Sequence, residues 1–88
     1  MRRTVSKGAK KYLGKMRKEI RRQVLVLNGE ENSMLSQICY RNRCKVENSS
    51  KKVFDGDWFL GYRTWIVGYN DDSVNAAYKQ FQERKRWA

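Results

Sequence analysis

VFDGDWFLGYRTWIVGY, residues 53–69, concentrates aromatic and β-branched side chains more densely than any other part of the chain. Such residues fit a pleated, half-buried surface, so Trp58 to Tyr69 is expected to be a strand. Val53-Phe54 begins another extended piece, and Asp55-Gly56 between the two is a hairpin dipeptide. Alternation places Trp58, Leu60, Tyr62 and Ile66 on one side and Phe59, Trp65, Val67 and Tyr69 on the other. Both sides are apolar, which implies a strand held between protein and a second surface. Trp58 and Phe59 are expected in the core, whereas Tyr62 and Trp65 divide evenly between core and a ligand surface.

Upstream, Asn48-Ser49-Ser50 marks a turn, and Met34 to Val46 reads as a short helix or turn leading into an extended Ile38 to Val46. Leu13, Met16, Ile20, Val24 and Leu27 recur at steps of three and four, predicting an amino-terminal helix from about Ala9 to Leu27. Ser6 would cap it and Asn28-Gly29 would stop it. Downstream, Val74, Ala77, Tyr78 and Phe81 form the apolar stripe of a carboxy-terminal helix capped by Asp71, Asp72 or Ser73. Arg84, Lys85 and Arg86 suit the negative end of its dipole. The expected fold is a small α+β domain: a basic helix, an extended or hairpin centre and a final helix, with arms ordered by a ligand. One domain fills the chain, divided into a basic arm (1–28), a motif and aromatic strand region (34–69) and a helical tail (72–88).

Charge points to the kind of ligand. The 88 residues include 20 Lys and Arg against nine Asp and Glu, a net charge of +11 without a single His. Residues 1–22 alone hold ten basic residues and only Glu19, and residues 73–88 add a second basic cluster. Two cationic ends around a neutral aromatic centre repel themselves in isolation and bind a phosphate backbone well. The longest apolar candidate, Val24 to Leu27, is far below the roughly 18 residues that span a bilayer, so no membrane partner is expected. The acid-free first eighteen residues resemble a mitochondrial presequence, and the same composition equally suits an RNA-binding arm. No secretory signal peptide is visible.

Catalytic constellations are missing. Without His there is no ordinary triad base, and no Ser or Cys has an evident activating partner. Cys39 and Cys44 fall short of the four ligands of a structural zinc and are expected to be reduced thiols. Asp55 with Asp57, or Asp71 with Asp72, are read as turn and cap residues rather than metal ligands. Gly61 and Gly68 open no phosphate loop. The reading is a binding protein, not an enzyme, with no cofactor and no small-molecule substrate.

The residues expected to touch RNA are cationic and aromatic. Lys10, Lys11, Lys15, Lys18, Arg21 and Arg22 would run along phosphates from the arm. Tyr62-Arg63-Thr64-Trp65 sets a guanidinium between rings, suited to unpaired bases and phosphate. Arg41-Asn42-Arg43, read as extended chain, would put both guanidinium groups on one side and Asn42 on the other. Arg84, Lys85, Arg86 and Trp87 would anchor the tail, the indole wedged into an RNA or protein crevice.

Arg41-Asn42-Arg43-Cys44 resembles the Arg-Asn-Arg-Cys motif of the small-subunit ribosomal protein fourteen family in its zinc-free branch. There, too, the motif follows a basic helical arm. Val53-Phe54 stands at the spacing of the family's Val-Tyr, Phe59, Leu60 and Arg63 echo its next cluster, and Arg84-Lys85-Arg86-Trp87 resembles its basic, Trp-containing ending. The family's Gly-Arg-Pro turn is replaced by Asn48-Ser49-Ser50, and Asn70 to Glu83 adds a helix. The resemblance implies a structural, rRNA-binding component of the small ribosomal subunit head, among neighbouring ribosomal proteins. Divergence of this degree suits a mitochondrial ribosome. The competing class is a small viral or free-standing basic protein that binds nucleic acid or a host nucleic-acid-processing complex.

Overall fold

The chain is described over residues 18–87 in a computed structural model. These residues run in the order β1 (Ile20–Val26), α1 (Gly29–Arg41), β2 (Lys45–Asp55), β3 (Trp58–Gly68) and α2 (Asp71–Trp87). The strands form one antiparallel sheet in the order β1-β3-β2. The α+β class, the hairpin centre and the carboxy-terminal helix are as expected.

The amino-terminal helix is not as expected. Its first part, Ala9 to Arg17, lies outside the described residues, but Ile20–Val26 is a strand paired with β3 from Ile20↔Gly68 to Val26↔Tyr62. Over Ile20, Val24 and Leu27 the three- and four-residue spacing is accidental. The true period is two, with Ile20, Val24 and Val26 on one face, and it is masked because the intervening position on that face is Arg22. This arginine packs its guanidinium 3.8 Å from the centre of the Tyr78 ring and donates from Nη1 to Asn75 Oδ1 at 2.8 Å. A cation stacked on an aromatic face thus occupies a core-side position. β-branched Ile20, Val24 and Val26 do the rest.

Asn28-Gly29 begins a helix instead of ending one. Asn28 is the N-cap of α1: its Oδ1 accepts from the Glu31 N–H at 3.0 Å, and Glu31 Oε1 accepts from the Leu27 N–H at 2.8 Å. Reciprocal bonds of this kind satisfy donors that a helix start leaves open, and the acids Glu30 and Glu31 favour the positive end of the dipole. Leu35, Ile38 and Cys39 are all buried in the core. The expected extended run from Ile38 is therefore helical as far as Arg41. At the other helix, the cap lies one residue before the predicted positions: Asn70 Oδ1 accepts from the N–H groups of Asp72 and Ser73 at 2.8 and 3.1 Å.

Both helices pack on one face of the sheet. Val24, Val26 and Ile66 meet Leu35, Ile38 and Cys39 of α1 and Val74, Ala77 and Phe81 of α2, with Ile20, Met34, Cys44, Val46 and Tyr78 around them. Lys85 locks the two layers together. Its Nζ donates to the Leu25 carbonyl at 2.9 Å and lies 3.9 Å from Glu31 Oε1, joining α2, the free edge of β1 and the first turn of α1.

β2 and β3 outrun β1. Asn48-Ser49-Ser50, expected as a turn, lies inside β2 at a bulge: the register passes from Asn48↔Thr64 to Lys52↔Tyr62, leaving residues 49–51 opposite Arg63. Ser49 Oγ accepts from the Lys51 N–H at 3.1 Å, so the turn-forming residues do locally what turn residues do, within a strand. A second irregularity falls between Val53↔Gly61 and Phe54↔Phe59. There Gly61 has φ +141, and a Cβ would stand 3.1 Å from the Val26 carbonyl oxygen, so only glycine fits. The hairpin turn uses Gly56 at φ +64. The distal hairpin carries the rings of Phe54, Phe59 and Tyr62 in series, with neighbouring centroids 5.3 Å apart. Trp58, expected in the core, is 73% exposed because its strand position lies beyond the helical layer.

Candidate nucleic-acid interface

The Arg41-Asn42-Arg43-Cys44 string is a helix ending. Asn42 is the C-cap of α1, and Arg43 follows in the left-handed region at φ 61. The Cys44 N–H donates to the Cys39 carbonyl at 2.8 Å and the Arg43 N–H to the Tyr40 carbonyl at 3.2 Å. Those two bonds are the Schellman pattern, with Arg43 where glycine usually stands and Cys44 set against Cys39. The expected extended geometry, with both guanidinium groups on one side, is thereby corrected. The chain reverses at Arg43, so Arg41 remains on the helix while Arg43 leaves it.

Arg41 instead shares a surface with the tail. Arg41, Asn42 and Met34 of α1 and Gln80, Glu83, Arg84 and Trp87 of α2 line a groove of about 820 Å³ between the helices. Asn42 Nδ2 donates to the Ile38 carbonyl at 2.8 Å and to Gln80 Oε1 at 3.1 Å, fixing the groove floor. Trp87 is 79% exposed at its rim, and Arg41 and Arg84 are exposed. Two cations and an exposed indole, against the single lining acid Glu83, suit an anionic ligand with a stackable base. Arg41 and Asn42 on one side and Arg84 and Trp87 on the other, separate in sequence, are brought together.

A second group lies on the sheet face away from the helices. Arg63 and Trp65 of β3 stand there, flanked in register by Leu25 and Gln23 on β1, with Glu47 opposite Trp65 and Lys45 opposite Val67 on β2. Arg21 places its guanidinium carbon 5.2 Å from the Trp65 ring centre and donates to Glu47 on one side and Glu19 on the other. Arg63 Nε is buried without a hydrogen-bond partner among the described residues. Tyr62 belongs to the opposite face, with Phe59, so the expected ring–guanidinium–ring arrangement splits across the sheet.

The other predicted residues are apart from both groups or are engaged within the fold. Lys10, Lys11 and Lys15 lie outside the described residues, and Lys18 is exposed just before β1. Arg22 and Lys85 hold α2 to β1, the first through Tyr78 and Asn75 and the second through the Leu25 carbonyl. Arg43 and Arg86 are exposed. Arg43 lines a small polar hollow with Tyr69, Asn70 and Ser73.

Sequence reasoning missed Met34, Gln80 and Glu83 in the groove, although Gln80, Glu83, Arg84 and Trp87 share a helical face at three- and four-residue steps. It also missed Lys45 and Glu47, which required the pairing of β2 with β3. Burial raises the Cys39 thiol from 9.0 to about 12, helped by the adjacent Cys44, and burial raises Cys44 as well. Both are therefore thiols of low nucleophilicity. Among the described residues no group of three or more His, Cys, Asp or Glu could hold a metal ion, and no helix is long and apolar enough to cross a membrane. Comparison of the chain with models of known protein families, with curated proteins and with solved structures finds no match.

Proposed function

We propose that this protein binds RNA as a structural, non-catalytic component of a ribonucleoprotein. The observation that carries the reading is the meeting of Arg41 and Asn42 with Arg84 and Trp87 in one groove, on a chain of net charge +11. Residues 18–87 hold thirteen basic and nine acidic residues, so seven of the eleven excess charges belong to residues 1–17. Residues 18–87 supply the local geometry described above, and residues 1–17 supply most of the charge for long-range attraction.

The narrower assignment, a protein of the small ribosomal subunit in a mitochondrial setting with rRNA and neighbouring ribosomal proteins as partners, rests on the sequence resemblance. Two of the segments that carry it, 41–44 and 84–87, contribute to the groove.

Titration of RNA over a salt series tests the general reading. Arg41→Ala/Arg84→Ala should weaken binding and lower the slope of log affinity against log salt by about two, near one for each phosphate no longer neutralised. An unchanged slope with affinity within about twofold removes the groove from the interface. For the ribosomal assignment, the full chain should sediment with small subunits through moderate salt, and its release at low salt refutes that assignment.

A further inference from the structure

The far face of the sheet is electrostatically self-occupied. Trp65 presents a half-buried ring at the centre of three strands, and the cation over it, Arg21, is already neutralised by Glu47 on the opposite edge strand. The ion pair therefore reaches across β3, over the ring. Beside it, Arg63 has a buried Nε with no acceptor among the described residues. A buried donor left unmet costs stability, and here the β2 bulge at residues 49–51 stands opposite it in place of a regular neighbour. The group is thus an aromatic ring, a donor lacking an acceptor, two further cations (Arg21 and Lys45) and the carboxylates of Glu47 and, more loosely, Glu19 on the nearer of them.

We propose that this face takes an unpaired nucleotide of single-stranded RNA. A base stacks on Trp65, phosphate oxygens replace Glu47 as the partner of Arg21, and an acceptor on the nucleotide meets Arg63. The Arg21–Glu47 ion pair is the internal competitor that the nucleotide displaces. The inference deepens the RNA-binding reading and rests on it, but it names a different surface and a strand state. Charge complementarity selects the occupant: three cations against two acids, with one buried donor unmet, favour a polyanion over an apolar protein surface. Stacking requires an unpaired base, because the faces of paired bases are covered by their neighbours.

The test uses the full chain with Trp58→Phe and Trp87→Phe, leaving Trp65 as the sole indole, titrated with an oligouridine of about ten nucleotides and with an RNA duplex of equal charge. Oligouridine should quench the Trp65 emission, and the duplex should not. In the otherwise native chain, Trp65→Leu should weaken oligouridine binding about tenfold and leave duplex binding within about twofold. Glu47→Gln should tighten oligouridine binding about two- to fivefold by freeing Arg21. RNA binding that persists through Arg41 and Arg84 without Trp65 quenching, and without a single-strand penalty from Trp65→Leu, overturns the inference and leaves the general reading standing. Failure of both RNAs to bind the native chain overturns the general reading and this one with it. If Trp65→Leu does not fold, Glu47→Gln decides: unchanged or weaker oligouridine binding refutes the competition.

Discussion

Replacing Arg43 by glycine should make this protein more stable. Arg43 ends α1 in the left-handed region at φ 61, between an Asn C-cap and a buried Cys contact. A side chain with a Cβ held there costs about 1–2 kcal/mol. Glycine removes that strain, while the freedom it gives the unfolded chain costs about 0.4–1 kcal/mol. The net gain for Arg43→Gly is about 0.5–1 kcal/mol, or roughly 3–6 °C in melting temperature for a domain of this size. Urea unfolding followed by circular dichroism measures it directly. Arg43→Ala is the control, because it deletes the guanidinium and keeps the Cβ, and its stability should stay within about 0.5 kcal/mol of the native chain. Both variants should lose the same RNA affinity if Arg43 contacts phosphate, since both lose the same charge. A glycine variant no more stable than the alanine variant refutes the strain argument. Equal and undiminished RNA binding by both leaves Arg43, which lines neither the groove nor the far sheet face, outside the interface.

Asn28→Ala should cost about 1 kcal/mol, read as a lower urea midpoint, because it removes the α1 cap; an unchanged midpoint would discount the cap. Lys85→Ala should cost about 1–2 kcal/mol, since the Leu25 carbonyl loses a charged donor and three elements lose their tie. Its effect should appear in stability before it appears in RNA binding, and the reverse order would return Lys85 to the interface. For Cys39, the folded thiol sits at about 12 against an ordinary 9.0, so the unfolded chain releases this proton first as pH rises. The associated stability is complete below pH 9 and declines above it by about 1.4 kcal/mol per pH unit. Stability curves between pH 8 and 11 should therefore fall less steeply for Cys39→Ala than for the native chain, and parallel curves would contradict the burial.

What could be read from the sequence followed from how many independent signals each segment carried. Trp58 to Gly68 combined β-branched content, aromatic content and a flanking Asp-Gly, and α2 combined a stripe with basic residues in its last turn; both were legible. Ile20–Val26 was not, because one arginine at a core-side position erased the alternation, and Tyr78, its stacking partner, lies 56 positions away. Asn28 was recognised as a boundary but with the wrong polarity, since Asn serves at either end of a helix. The reciprocal Glu31, three residues on, was the deciding sign. Arg41 and Trp87 were singled out separately from their chemistry. Their convergence needed the packing of α1 against α2, which no local pattern encodes.

β1 stops opposite Tyr62, so past that pair the hairpin continues as a ribbon two strands wide. Backbone amides there have no third strand to shield them and no helix above them, and they should exchange with solvent through small local openings long before the amides of Thr64 to Val67. A ribbon of this width is only marginally stable in water, which lets it bend at Gly61 and the irregularity between Val53 and Phe54 to follow an uneven neighbour. Hydrogen exchange of the complex against the free chain will therefore mark any body that clasps residues 53–60, whatever its chemistry, as a sharp slowing confined to those amides.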